Sequence, residues 1–290
     1  TRSASILRES MVRTNTASRL GPSALLCVLL SALPIGLAAQ DADLLRGVEQ
    51  QVALGLYYAD GGFGALDKTR ITYLPLSWAL EKGGWSGQIS VAKLRVEGPG
   101  NVLVNLGGVT RAVAADSVRR YSGTGDSLLE LGYTHTIGIE DSRLPRLFGE
   151  SFSLGARVSL KIPTASVEKN LGTGERDVSF QLESSFYLGE NTVFATAGYS
   201  NRGDSAVFAD IESSGFAQVG IARRMTSKTS AGLIYDYRAT ASQFFGDVKE
   251  VSVYAGWELT PAWSLTALMS AGLTSASADR ALYLQLAYRL

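Results

Sequence analysis

The chain has 290 residues, which allows one large domain or two ordinary ones, and its 31 Gly and 12 Tyr favour β structure. The 27 basic and 27 acidic residues balance, which excludes the strongly basic surface of a nucleic-acid-binding protein. One cysteine and one histidine leave little for disulfides, thiolate metal sites or histidine-based catalysis.

Residues 1–39 have the features of a secretory signal peptide. Four arginines precede a short apolar run, which holds the single cysteine and is followed by two alanines. The run is shorter than the roughly 20 apolar residues of a membrane-spanning helix. We therefore expect cleavage near Ala39, with Met11 as a candidate start that leaves 1–10 untranslated, and a single mature domain over 40–290.

Alternating apolar and polar residues predict twelve β-strands. The alternation is clearest in 151–188, where two arms joined by a polar, Gly-containing loop are typical of an antiparallel hairpin. In the third strand Ile89 lies on the same parity as Lys93 and Arg95, so we expect a β-bulge there. The predicted strands are 51–59, 70–80, 87–97, 127–137, 151–162, 177–188, 191–200, 215–225, 229–238, 249–258, 263–273 and 280–290.

The strands carry charges on one face and aliphatic or aromatic residues on the other, as a wall between water and lipid does. We predict an all-β fold, a transmembrane antiparallel up-and-down β-barrel of twelve strands with both termini periplasmic, in the outer membrane of a Gram-negative cell. The connections after strands two, six, eight and ten are short, and most of those at the opposite rim are long. The connection 138–150 is the exception, since it is long for a periplasmic turn.

Four tryptophans flank two of the predicted short turns. Such residues gather where a barrel meets the lipid headgroups, so we expect an interface girdle made of Trp78, Trp85, Trp257 and Trp263. The chain also ends in an alternating apolar strand, which resembles the signal that outer-membrane proteins present to their assembly machinery. Outer-membrane lipid and that machinery are therefore expected partners.

The opposite parity predicts a lumen with both charge signs and several aromatic rings. Mixed signs favour ion pairs across the lumen over an ion-selective ring. The aromatic residues either fill the lumen or form a path for a small hydrophobic solute. The side chains expected to line it are Lys93, Arg95, Glu97, Glu130, Arg157, Lys161, Asp177, Glu183, Asp236, Arg238, Glu250, Glu258, Arg289, Tyr57, Tyr73, Phe194, Phe216, Ile234, Tyr254 and Tyr283.

Catalytic and metal-binding patterns are weak. His135 has no Asn, Asp or Glu on its own face of its strand to orient the ring for catalysis. The loop carboxylates Asp204, Asp210 and Glu212 lack EF-hand spacing, so we interpret them as solvated charges. We expect no enzymatic activity, no cofactor and no metal.

The hairpin loop resembles a known family. Its Lys-x-Pro-Thr, Leu-Gly-Thr-Gly and Asp elements are Lys161, Pro163, Thr164, Leu171, Gly172, Thr173, Gly174 and Asp177, and further matches are Gly123, Gly125, Asp126, Gly198, Tyr199, Gly203 and Asp204. These elements resemble the outer-membrane transporters of the phenol meta-degradation (MetA) pathway, over about 123–290. The resemblance implies a barrel that moves aromatic or other hydrophobic compounds.

Two functional hypotheses remain. The first is a passive, porin-like channel for small hydrophobic molecules. The alternative is a closed structural or interaction barrel with a plugged lumen, in which part of 98–126 folds inward as a short helix. Residues 41–49 are expected to form a flexible N-terminus or a plug.

Overall fold

The computed structural model describes most of the predicted mature domain. Side chains are described at every described position except 99–119, where only the backbone is described. The signal peptide, most of the connection 138–150 and Asp210 lie outside the described residues, and those predictions stay predictions. The described ranges are 47–64, 67–105, 108–138, 151–169, 171–205, 211–241 and 246–290.

Thirteen β-strands make up the regular structure of the described residues. No helix among these residues has the length and apolarity to cross a membrane. The strands are β1 Glu49–Gly61, β2 Thr69–Lys82, β3 Trp85–Asn105, β4 Gly108–Thr124, β5 Ser127–Gly138, β6 Ser151–Ile162, β7 Asp177–Leu188, β8 Asn191–Asn201, β9 Ser214–Arg224, β10 Thr229–Arg238, β11 Val248–Glu258, β12 Trp263–Gly272 and β13 Arg280–Arg289.

Twelve of these strands close into an antiparallel barrel. Each strand pairs with the next around the ring, β3 pairs with β5, and β13 returns to β1 from Gln51 opposite Arg289 to Asp60 opposite Arg280. This confirms the predicted twelve-stranded up-and-down barrel, and the predicted strand bounds agree closely except for the third. Closure leaves the ring without an unpaired edge.

The extra strand, β4, corrects one expectation. The alternative hypothesis placed a short helix within 98–126, but the backbone there continues β3 outward and returns as β4. This hairpin pairs from Lys93 opposite Thr124 to Asn105 opposite Gly108, beyond the point where β3 leaves β5. Its Val and Thr residues favour the extended backbone. The prediction of an inward helix is therefore wrong.

The predicted β-bulge in the third strand is also misplaced. The pairing of β2 with β3 runs without interruption. The bulge lies instead on the facing chain, since Lys93 is opposite Thr124 and Ser90 is opposite Leu128, so that three residues face two. The extra residue lies at 125–126, between β4 and β5.

The two faces of the wall have the inverse of a soluble protein's polarity. On the outer face, Leu182 and Val253 are each 56% exposed and Met269 is 67% exposed. On the inner face, Lys161 and Asp177 are each 2% exposed. A continuous exposed apolar surface of this kind fits lipid contact.

The two rims differ in their connections. The two-residue turn between β2 and β3 consists of Gly83 and Gly84, both with positive φ, at 57° and 89°, which a type I′ hairpin turn requires. All four tryptophans lie toward this turn rim, on the outer face. The ring of Trp85 is 4.9 Å from that of Tyr133, and the ring of Trp263 is 4.8 Å from that of Tyr288.

The outer face of β11 provides a direct test of lipid contact. Replacing Val253 with Arg, four positions from Trp257, should lower the free energy of unfolding by about 2–4 kcal/mol, because a cation near the bilayer midplane loses its hydration. Val253→Leu is the matched control and should change it by less than about 0.5 kcal/mol. Urea titration of folding in lipid vesicles measures both, and equal effects of Arg and Leu would contradict lipid contact.

Candidate functional site

Most of the predicted lumen residues lie on the inner face of the wall. The exposed Glu258 and Arg289 follow the same parity at the turn rim. The inward set comprises Tyr57, Tyr73, Glu130, Arg157, Lys161, Asp177, Glu183, Phe194, Phe216, Ile234, Asp236, Arg238, Glu250, Tyr254 and Tyr283.

Three charged residues of β3 point the other way. Ala92 and Leu94 are 2% and 1% exposed on the inner side, so the alternating Lys93, Arg95 and Glu97 lie on the outer face. The expectation that these three line the lumen is therefore wrong. Because β3 has no bulge within 85–97, the side chains that face outward at Ile89 and Val91 are followed on the same face by Lys93, Arg95 and Glu97.

A buried cluster of charged side chains lies at the end of β6, next to the loop that leads to β7. The Nζ atom of Lys161 lies 2.7 Å from Oδ2 of Asp177 and 3.6 Å from Oδ2 of Asp126, and it donates to Oγ1 of Thr173 at 2.8 Å. The three charged side chains are at most 6% exposed. Two carboxylates and a hydroxyl thus surround one ammonium group, which compensates for its burial.

The bulge makes this cluster possible. The N–H of Gly125 donates to the carbonyl oxygen of Ala92 at 2.8 Å, and the next residue, Asp126, also faces inward. There Oδ1 of Asp126 accepts the N–H of Ala165 at 3.0 Å. A Cβ at Gly172 would lie 2.9 Å from both carboxylate oxygens, so only glycine allows this approach. The carboxylate of Asp126 therefore binds the start of the loop that joins β6 to β7 and lies against Gly172 further along it.

The same loop packs into the barrel mouth. Leu171 is 1% exposed and belongs to the buried apolar cluster with Tyr73, Leu94 and Ala165. A Cβ at Gly123 would lie 2.7 Å from Cδ1 of Leu171. The loop therefore lies against the inner wall of β2 and β3 and narrows the mouth.

Arg202 holds together the two ends of the connection between β8 and β9. Its Nη1 donates to the carbonyl oxygen of Glu212 at 2.7 Å and to Oγ of Ser214 at 2.8 Å. Burial lowers the pKa of the Arg202 guanidinium, and the charge of Asp177 opposes this shift. Since arginine starts from a very high pKa, the group stays charged.

Further ion pairs follow the wall. Arg157 on β6 lies 3.0 Å from Glu183 on β7, and Arg238 on β10 lies 3.3 Å from Glu250 on β11. Each pair joins adjacent strands, as Lys161 and Asp177 do, whereas we expected pairs across the lumen. The charges are thus neutralised at the wall.

Inner-face carboxylates also accept from neutral partners. Glu130 accepts from Nε2 of Gln88 at 2.8 Å and from Oγ of Ser159 at 2.9 Å. Asp236 accepts from Nε2 of Gln218 at 2.5 Å. Gln88 and Gln218 were not predicted site residues, although their inward parity places them in the lumen.

Aromatic rings on β8 to β11 lie over glycines of the neighbouring strand. The rings of Phe194, Phe216 and Tyr254 occupy the space that a Cβ would need at their cross-strand partners. Those partners are Gly220, Gly198 and Gly232, respectively. The rings therefore lie along the wall instead of projecting across the lumen. We call this set the aromatic–glycine wall. The sequence signal was present, as Gly and aromatic residues on the inward parity, but their pairing depends on register.

A second aromatic group fills the side of the barrel formed by β13, β1 and β2. Tyr57 pairs with Tyr73 on one side and with Tyr283 on the other. These three residues are 1–6% exposed and cluster with Ile71 and with Phe63 of the following loop. Phe63 was not a predicted site residue because it lies outside the strand pattern.

The residues considered for chemistry do not form a site. His135 is exposed on the outer face of β5, opposite Leu154. Among the described residues, no group of three or more His, Cys, Asp or Glu side chains is arranged to hold a metal.

No family model matches the sequence. No curated protein matches it either. Among solved structures, an outer membrane channel from Pseudomonas putida F1 has a TM-score of 0.63 at 15% identity, covering 89% of this chain and 97% of that one. The chain has the fold of an outer-membrane β-barrel.

Two other structures are less similar. The KdgM porin has a TM-score of 0.47 at 8% identity, covering 82% of this chain and 98% of that one. The translocator domain of the autotransporter NalP from Neisseria meningitidis also has 0.47, at 11% identity, covering 84% and 89%. The fold comparison rests on the first structure, and the resemblance to the MetA-pathway family stays a prediction.

Removing the buried ammonium tests the charge cluster. Lys161→Met should lower the free energy of unfolding by about 3–5 kcal/mol, because it leaves two buried carboxylates without their cation. The exposed Lys169 of the same loop provides the matched control, and Lys169→Met should be near neutral. Urea unfolding measures both, and a similar small loss for the two variants would show that the cluster does not stabilise the barrel.

Filling a glycine position tests the aromatic–glycine wall. Gly220→Ala should cost about 1–3 kcal/mol, because the new Cβ overlaps the ring of Phe194. Gly220→Ala should cost less in a Phe194→Ala background, where only the carbonyl oxygen of Leu233, at 2.8 Å, still crowds the new Cβ. Gly87→Ala, with nothing closer than 4.0 Å to its new Cβ, is the control. A double-mutant cycle by urea unfolding measures the coupling, and additive losses would contradict the contact.

Proposed function

We propose that the protein is a passive outer-membrane channel for small uncharged molecules that are hydrophobic or aromatic. The observation that carries this proposal is the aromatic–glycine wall. Phe194, Phe216 and Tyr254 give the inner wall from β8 to β11 an aromatic surface. Phe194 and Tyr254 are 9% and 7% exposed and Phe216 is half-buried, so a solute contacts the part of each ring that the wall leaves uncovered.

The arrangement of the inner charges supports an uncharged solute. Arg157 and Arg238 each have a carboxylate partner on the neighbouring strand. Each of these pairs is neutral as a unit, and the inner carboxylates Glu130 and Asp236 accept hydrogen bonds from neutral side chains. This differs from a pore that selects ions with a charged ring.

The loop that carries Leu171 supports size selection. Its side chain is packed against the inner wall and the loop is fixed by Asp126 and Lys161. A fixed loop at the mouth limits the cross-section that a solute has available.

The cellular setting is part of the same proposal. The chain is secreted across the inner membrane by its signal peptide, inserted by the outer-membrane assembly machinery, and oriented with both termini and the turn rim periplasmic. The short turns at that rim support this orientation, and the exposed apolar outer face supports the membrane location. We propose no enzymatic role, because the exposed His135 on the outer face offers no catalytic constellation.

The second candidate is a closed structural or interaction barrel. It is favoured by the aromatic group around Tyr57 and Tyr283, which forms one buried cluster with Leu171 and with Phe194 and Tyr254 of the aromatic–glycine wall. If that cluster extends across the lumen in the membrane, no solute passes.

Proteoliposomes whose outer leaflet contains lipopolysaccharide distinguish these candidates. We expect the protein to increase the uptake of radiolabelled benzyl alcohol over protein-free vesicles. The double variant Phe194→Ser/Phe216→Ser should reduce that increase by about 10-fold, because two stacking faces are lost. Arabinose, which does not stack, should be affected far less.

Two further variants complete the experiment. Leu171→Gly should raise the uptake of both solutes, because it withdraws a side chain from the mouth. Phe180→Leu, on the exposed outer face, is the matched aromatic control and should change neither uptake. A barrel that transports neither solute, before and after Leu171→Gly, would favour the closed structural role.

A further inference from the structure

A group of cations on the outer wall has no role in the channel. Its members lie at outward-facing positions of β2, β3, β4 and β13, close to the rim that carries the long loops. The side chains of Arg70, Arg95 and Arg120 are 61%, 50% and 69% exposed. We call this set the basic patch, which consists of Arg70, Lys93, Arg95, Arg120 and Arg280.

The strand register assembles the patch from four strands and places Asp60 of β1 between two of them. Arg280 lies opposite Asp60, Asp60 opposite Arg70, Arg70 opposite Glu97, and Glu97 opposite Arg120. This is one row of charged positions across the outer wall. The remaining two cations of the patch, on β3, lie nearer the apolar band.

Among the described residues, the patch and the ion-paired side chains beside it comprise six cations and three carboxylates, and the exposed Asp67 precedes Lys68 in the same loop. Asp60 lies 3.3 Å from both Lys68 and Arg70, and Glu97 is paired with two arginines of the patch. Lys68 also lies 2.9 Å from Asp279. These three carboxylates hold the cations in place without neutralising them all. Among the described residues, Lys93 forms no ion pair.

The patch lies at the upper edge of the apolar band. Arg70 is eight positions from Trp78 on β2, and Lys93 is eight positions from Trp85 on β3. At about 3.3 Å per residue and a tilt of about 40°, eight positions rise about 20 Å above the tryptophans. The apolar band of such barrels is about 25 Å tall. Lys93 also lies opposite Leu74, which is 37% exposed on the lipid side.

The opposite side of the barrel differs at this height. The upper outer positions of β8 and β10 are Tyr199, Tyr235 and Tyr237, and β11 adds the single cation Lys249, whose Nζ lies 6.0 Å from the centroid of the Tyr237 ring. The basic patch is thus confined to one side of the wall. A local set of guanidinium and ammonium groups at the headgroup level is suited to bind phosphate, which accepts bidentate hydrogen bonds from arginine.

We propose that the basic patch binds the phosphate groups of a phosphorylated glycolipid in the leaflet beside the long-loop rim. The proposal rests on the outer-membrane location and orientation proposed above, and it is independent of what passes through the lumen. Clustered Lys and Arg side chains next to a membrane span bind anionic lipid headgroups in this way. The bound lipid would stay beside β2 and β3.

Binding of purified lipopolysaccharide to the full barrel in neutral detergent micelles tests the proposal. Native gel shift should show binding to the unchanged protein and a loss of about 30-fold in affinity for Lys93→Gln/Arg95→Gln, since each cation near a headgroup contributes about 5-fold. The double variant Lys169→Gln/Lys228→Gln replaces two exposed lysines and is a control with the same change in charge. It should bind lipopolysaccharide as tightly as the unchanged protein does. The single variant Lys93→Gln, which breaks no ion pair among the described residues, should lose about 5-fold.

Three comparisons decide the chemistry. Removing the phosphate groups from lipopolysaccharide with phosphatase should lower its affinity for the unchanged protein. The affinity should fall at least to that of untreated lipopolysaccharide for Lys93→Gln/Arg95→Gln. Equal binding of phosphatidylglycerol micelles would overturn the assignment to a glycolipid, and equal loss in the control variant would overturn the assignment to this patch. The uptake of benzyl alcohol and arabinose is measured in proteoliposomes made from the same protein preparations. A barrel that binds the glycolipid but transports neither solute would contradict the proposed channel and not the proposed glycolipid site.

Discussion

The structure depends on the closure of the ring between β1 and β13. A wall in lipid has no water for its backbone N–H and C=O groups, so every strand needs two neighbours. Pairing from Gln51 opposite Arg289 to Asp60 opposite Arg280 supplies the last neighbour. Once the ring is closed, alternation forces each second side chain outward into lipid and the others inward. The exposed Val253 and the buried Lys161 are two results of that single constraint.

The mouth of the barrel depends on one extra residue in this regular wall. The bulge at 125–126 turns the carboxylate of Asp126 inward, where it meets both the ammonium of Lys161 and the backbone of the following loop. The loop in turn buries Leu171. Several of the residues by which the sequence resembles a transporter family, among them Asp126, Lys161 and Gly172, thus fix this loop, which gives them a structural role independent of any substrate.

Inside the wall, polar and aromatic groups are both held against the strands. Arg157 and Arg238 find carboxylates on adjacent strands, and Phe194 lies over the glycine opposite it. Short cross-strand contacts of this kind cost less chain entropy than contacts across a lumen, because the ladder already fixes both partners. The outer wall uses the same register differently, since it gathers cations from several strands into the basic patch at the edge of the apolar band.

By itself, the sequence determined the strands and, in nearly every case, their faces. Period-two alternation is a local property, so 151–162 and 177–188 were predicted with the bounds that the structure has. Only the tertiary structure decided what depends on register between strands. It placed the bulge opposite β3 instead of within it, which moved Lys93 and Arg95 to the outer face, and it made 108–124 a strand. The register also determined which glycine lies beneath each aromatic ring and which residue pairs with each charged side chain. Residues that meet across a ladder are distant in sequence, and their alignment is set by the closed ring and not by either strand alone.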